Sequence, residues 1–239
     1  MTTPATARAR PAVSPQTRAS QLMVVGYAAA TVGLLAELTT SGASGTPAAV
    51  SIGATGLIAV GILLPSAGML QLRSAVDRDR RGARRGLAMQ GLGLIGLLLG
   101  VLALQISSSV PGLFVSAAIV ASAGALAIVG GVHLSNHYPD IGAQRRTDVG
   151  YLVVGTALMF GGAGVILASK IGYYFVLSDV GSTVVTDAGL AISACGCVVA
   201  AYASLVMQGL RPGTNQQSHG AGFVSRWRQS IGHSFSSRV

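Results

Sequence analysis

Six apolar stretches, each about twenty residues long, alternate with short polar segments between Gln21 and Leu210. The clearest is Gly86 to Ile106, GLAMQGLGLIGLLLGVLALQI, twenty-one residues without a charge. At 1.5 Å per residue a helix of that length crosses a hydrocarbon core of about 30 Å. The others are Gln21 to Thr40, Ala48 to Leu72, Leu113 to Leu134, Val149 to Ile171 and Asp187 to Leu210. Gly42-Ala43-Ser44 resembles a signal-peptide cleavage site, yet a long arm precedes the first stretch and five similar stretches follow, so it is retained as a span. Pro65 is expected to kink or loosen the second span. Thr186 or Asp187 is expected to cap the sixth, after an outer loop from Gly172 to Thr186. The pattern predicts an all-α polytopic membrane protein, a bundle of six transmembrane helices over residues 21–210. A disordered basic arm, 1–20, precedes it, and a linker with a basic amphipathic tail, 211–239, follows.

Charge gives the bundle a direction. Only 10% of residues are charged, and 33 are glycine, where a soluble domain would carry about 25% charged residues. Arg78, Arg80, Arg81, Arg84 and Arg85 stand at the start of the third span, which places that end in the cytoplasm. With six spans and both termini inside, fifteen of the sixteen basic residues lie on the cytoplasmic side, Lys170 being the exception. Fifteen basic against four acidic residues leaves +11 inside, and one against three leaves −2 outside, which together make the stated +9. The basic residues sit in short loops and tails and form no continuous face with base-reading groups, which argues against a nucleic-acid partner.

The spans also fall into three units of helix, outer loop and helix: 21–72, 87–134 and 149–210, a candidate internal repeat. GLAMQGLGLIGLLLGVLAL aligns with GYLVVGTALMFGGAGVILA at the starts of the second and third units. In this hairpin rhythm, and in pieces such as GLLLGVLALQISSSVPG, residues 21–210 resemble the acid-resistance HdeD-like six-helix membrane proteins. The resemblance implies a bundle assembled from hairpins; that family offers no catalytic residues to carry over.

Candidate chemistry is sparse. Gly91, Gly93 and Gly96 spell G-x-G-x-x-G, but a dinucleotide fingerprint needs a preceding strand, and here the glycines lie inside a span. Packing is the better account: Gly96 and Gly100 make a G-x-x-x-G step that admits a neighbouring helix. Four-residue ladders recur as Ala117, Ala121 and Ala125, and as Gly189, Ser193, Cys197 and Ala201. Cys195 and Cys197 diverge by about 200° on a helix and cannot readily bridge. His133 and His137 share a helix face with Asp140 nearby, but further metal ligands would have to come from His219 or His233 on the tail. No metal and no cofactor is therefore expected.

Glu37 and Lys170 are the ionisable groups embedded in the spans, both near outer ends, and are candidates for an opposite-charge pair. Each lies one to two turns from its loop, so snorkelling to the headgroups is the plainer alternative. Tyr173, Tyr174 and Phe175 follow as an interfacial belt. In the tail, Phe223, Trp227, Ile231 and Phe235 recur every fourth residue, an apolar stripe suited to a membrane surface. No Ser/His/Asp set converges, so the expectation is a non-enzymatic protein of the cytoplasmic membrane, structural, stress-related or an assembly partner. Its partners would be the lipid bilayer and another membrane protein or a second copy of itself. The alternative is a small-solute or proton-coupled transporter or channel using Glu37, Lys170 and the Pro65 kink.

Overall fold

Ser14 Oγ accepts a hydrogen bond from Thr17 N at 3.2 Å, and Pro15 opens the first turn. That cap and proline start the first helix six residues before the apolar run begins. The computed structural model describes residues 14–41, 48–107, 109–141, 143, 145–176 and 178–207. Its helices are α1 (Pro15–Thr40), α2 (Ala48–Ala75), α3 (Arg81–Ile106), α4 (Val110–Asn136), α5 (Arg146–Phe175) and α6 (Asp179–Met207), with a 3-10 turn at Tyr138–Ile141 between α4 and α5. All six are long and apolar enough to cross a membrane, and the protein is a multi-pass membrane protein with an all-helical bundle.

Two sequence expectations need correcting. The sixth helix begins at Asp179, two turns before Asp187, because Ser178 Oγ accepts from Gly181 N at 3.2 Å and so supplies the cap. The connection between α5 and α6 shrinks accordingly from the expected outer loop to residues 176–178. At the other end α3 already begins at Arg81, so its first turn carries Arg81, Arg84 and Arg85. Hydropathy marks where apolar residues begin; it does not see the caps that decide where the helix does. Pro65 lies within a continuous α2, and its ring fits against Gly26 of α1.

The helices pair as antiparallel hairpins, α1 with α2, α3 with α4 and α5 with α6, which are the most extensive contacts in the protein. Smaller contacts of α2 with α3, α4 with α5, and α6 with α1 close a ring. One end of this ring carries Arg80, Arg81, Arg145 and Arg146 and is termed the arginine end; the other carries Ser41, Ser107 and Ser178 and is termed the far end. Cross-links tie the arginine end. Arg80 pairs with Asp140 at 2.8 Å. Arg146 Nε donates to Ser135 Oγ at 3.0 Å and its Nη2 to Asn136 Oδ1 at 3.2 Å. Buried Asp148 accepts from Arg145 N at 3.1 Å, seating a carboxylate in the first turn of α5.

Glycines build the hairpin seams, at a spacing of seven. Gly26 and Gly33 of α1 meet α2, and Gly61 and Gly68 of α2 meet α1. Gly86, Gly93 and Gly100 of α3 meet α4, and Gly155 and Gly162 of α5 face Gly189 and Gly196 of α6. A Cβ at Gly93 would lie 2.7 Å from Ala127 Cβ, and one at Gly196 would lie 2.6 Å from Gly155 O. Neither gap admits a methyl group without moving backbone. A seven-residue repeat keeps one stripe against an antiparallel partner along its whole length. Gly96 joins the same seam, its Cβ position 2.6 Å from Ala123 Cβ. The four-residue alanine ladder of α4 behaves differently. Ala121 and Ala125 are exposed on the outside of the bundle, and the buried stripe runs instead through Ser116, Ala123 and Gly130.

Candidate functional site

Between the hairpins a cavity of about 600 Å³ opens from the far end. All three hairpins contribute to its wall. At the mouth stand Ser41 of α1, Ser107 beyond α3, and Tyr173 and Tyr174 of α5. Below them come Glu37, Thr55 and Lys170 among apolar side chains such as Leu34, Ile62 and Leu98. Ala30, Met159, Ser193 and Cys197 form the floor. From Ser41 to Ala30 is eleven residues of α1, or about 16 Å of rise, so the cavity reaches the middle of the bundle.

The structure brings Glu37 and Lys170 to this one cavity but does not pair them. Glu37 Oε1 accepts from Thr55 Oγ1 at 3.1 Å, a bond that turns the carboxylate toward α2. Lys170 is on α5, in a different hairpin, and is exposed. Neither meets an opposite charge within 4.0 Å among the described residues. The tyrosines following Lys170 pack edge to face, ring centroids 5.9 Å apart at 79°, each half exposed at the mouth.

Hydroxyls hold the far end of the third hairpin. Ser169 is fully buried, and its Oγ lies 2.6 Å from Ser182 O, 3.0 Å from Ser182 Oγ and 2.9 Å from Thr186 Oγ1. Thr186 in turn lines the cavity. Asp187 is a mid-helix residue that accepts from Ser41 Oγ at 2.7 Å, linking α6 to the end of α1.

Beneath the floor lies a closed polar layer. Gln90 of α3, wholly buried, donates from Nε2 to Ala127 O of α4 at 3.1 Å. Thr156 Oγ1 of α5 lies 2.8 Å from Leu152 O and a long 3.5 Å from Gln90 Oε1. Tyr27, one turn below Ala30, is fully buried beside Thr156, yet its hydroxyl meets no partner at hydrogen-bonding geometry. On the arginine side of this layer a second, smaller cavity of about 130 Å³ is bounded by Gln16, Thr17, Ser20, Met23, Leu72 and Met207, with Ile141. The layer therefore separates two cavities.

The remaining candidates take structural positions. His137 ends α4, its Nδ1 hydrogen-bonded to His133 O at 2.9 Å, and Asp140 is engaged by Arg80. No cluster of three or more His, Cys, Asp or Glu that could hold a metal occurs among the described residues. Cys197 is buried and Cys195 exposed, both as free thiols. Phe223, Trp227, Ile231 and Phe235 lie outside the described residues. Gln90, Thr55, Ser169 and Tyr27 were not singled out in the sequence. The signal available was a lone amide, two hydroxyls and a phenol within apolar runs, each more polar than its surroundings. Compared with family models, curated proteins and solved structures, the chain matches none.

Proposed function

We propose that this protein lies in the cytoplasmic membrane with the arginine end in the cytoplasm, and that its vestibule admits a small polar solute from the opposite side. The +11 against −2 division of charge supports the orientation. The single observation that carries the function is the cavity itself. Its volume of about 600 Å³ lies in the range of small-molecule sites, and two ionisable groups of opposite sign open into it. A closed layer below and a second cavity beyond are the arrangement of a carrier or gated channel resting with its outer side open. To test this, Thr55→Cys is made in a background with Cys195 and Cys197 replaced by serine. An impermeant maleimide should label it in intact cells, and labelling should abolish solute efflux from proteoliposomes loaded with radiolabelled amino acids, sugars and choline. An unlabelled Thr55→Cys and efflux equal to that of empty liposomes would refute the proposal.

Self-association has an observation of its own. A groove between α4 and α5 on the outside of the bundle is lined by Ala121, Gly124, Ala125, Gly161, Gly164 and Ala168, and a Cβ at Gly161 or Gly164 would meet nothing. Such open small residues let a further helix approach closely. Gly161→Leu with Gly164→Leu should abolish a cross-linked dimer in the membrane without lowering bundle stability; an unchanged dimer yield would count against it.

A further inference from the structure

We infer that the vestibule is a binding site for a zwitterion bearing an apolar group, its ammonium seated on Glu37 and its anionic group on Lys170. This deepens the vestibule proposal and rests on it. Glu37 stands on the first hairpin and Lys170 on the third, and both line the same cavity. Among the described residues neither has an ion-pair partner within 4.0 Å. Thr55 gives Glu37 one neutral hydrogen bond, which leaves the carboxylate's charge unbalanced. Glu37 is half-buried, where a charge is costly without a counter-charge, and exposed Lys170 offers an anionic group a ready partner. A ligand of one sign would satisfy one group and leave the other as it was. A zwitterion satisfies both at once.

The surroundings narrow the choice. Below the level of the two charges the wall is mostly apolar, with Leu34, Ile58, Leu98 and Ile166 among its side chains and Met159 beside Ser193 at the floor. A ligand fixed by its charges at the level of Glu37 therefore directs its remaining part downward into apolar surface, which favours an aliphatic group over a sugar or a second charge. The ring faces of Tyr173 and Tyr174, next to Lys170 in sequence and at the mouth, can attract an ammonium as it enters. Leucine-like amino acids have this chemistry. So does a lipid with an ammonium and a phosphate in its headgroup. Bound in this way, either would tie the first hairpin to the third.

The test uses the full chain in nanodiscs of phosphatidylglycerol, a lipid without an ammonium, and isothermal titration with L-leucine, with leucinamide, which lacks the carboxylate, and with 4-methylpentanoate, which lacks the ammonium. Leucine should bind, and each analogue should bind at least tenfold more weakly. Glu37→Gln and Lys170→Met should each weaken leucine at least tenfold while the ligand-free melting temperature stays within a few degrees. The charge exchange Glu37→Lys with Lys170→Glu should restore binding, an outcome that general damage to the fold cannot produce. A second arm identifies the source. If the natural ligand is a lipid headgroup, phosphatidylethanolamine should co-purify with the wild type, be lost from both single variants and compete with leucine. Equal binding of either analogue, leucine affinity indifferent to both variants, or neither leucine binding nor retained phosphatidylethanolamine would overturn the inference. Labelled Thr55→Cys with no zwitterion bound would overturn the ligand class alone, whereas failure of both experiments would remove the vestibule proposal as well.

Discussion

Glu37 directs its carboxylate to Thr55 on the adjacent helix, so the opposite charges that the sequence offers as a pair stand apart in the vestibule. Groups without direct contact or a shared partner behave additively. Without ligand, a double-mutant cycle of Glu37→Gln and Lys170→Met on unfolding in nanodiscs should give a coupling within about 0.5 kcal/mol of zero. A coupling well above 1 kcal/mol would mean that the two side chains meet. The polar layer below provides a contrast between two buried residues. Gln90 bonds across to Ala127 O of the neighbouring helix, whereas the Tyr27 hydroxyl is buried unmet. Gln90→Leu should therefore cost about 0.5–2 kcal/mol. Tyr27→Phe should leave stability unchanged or raise it, since it removes a polar group whose burial is uncompensated. Measured unfolding with the opposite ranking would show that Tyr27 Oη has a partner in the membrane.

Hairpins are the elements that matter, and α5 tests their seams with two glycines two residues apart. A Cβ at Gly162 would press on Ser193 and on Gly189 O, whereas one at Gly164 would meet nothing. Alanine is the better helix former by about 1 kcal/mol, so Gly164→Ala should raise the melting temperature, and Gly162→Ala should lower it despite the same propensity gain. Equal shifts would deny that the seam depends on backbone contact. Much of this was legible in the sequence. Six spans and their pairing follow from the length and rhythm of the apolar runs. The seam was also on display, since Gly86, Gly93 and Gly100 or Gly155 and Gly162 recur at seven, but a search at the four-residue step finds Gly96 with Gly100 and is drawn to Ala121 and Ala125 on the outside. Helix ends were missed where Ser14 and Ser178 cap, because serine barely alters hydropathy. The vestibule was not legible at all beyond its two charges: Thr55, Met159 and Ser193 come together through the spacing between hairpins, which no single helix encodes.

At the scale of the whole molecule, the two ends differ in chemistry. The arginine end is cross-linked by Arg80 and Arg146, and the far end opens between tyrosines and serines. With the arginine end in the cytoplasm, single cysteines at Ser41, Ser107 and Ser178 should react with an impermeant reagent in intact cells, and one at Asp79 should react only after lysis. Reversed labelling would turn the vestibule toward the cytoplasm. The glycine seams have one more consequence, for how the protein is made. Each hairpin is contiguous in the chain and completes its own seam. A pair of helices newly released into the bilayer thus finds its principal partner without waiting for anything translated later. Biogenesis becomes the delivery of three prefabricated units in succession, with ring closure by α1 and α6 waiting for the sixth helix.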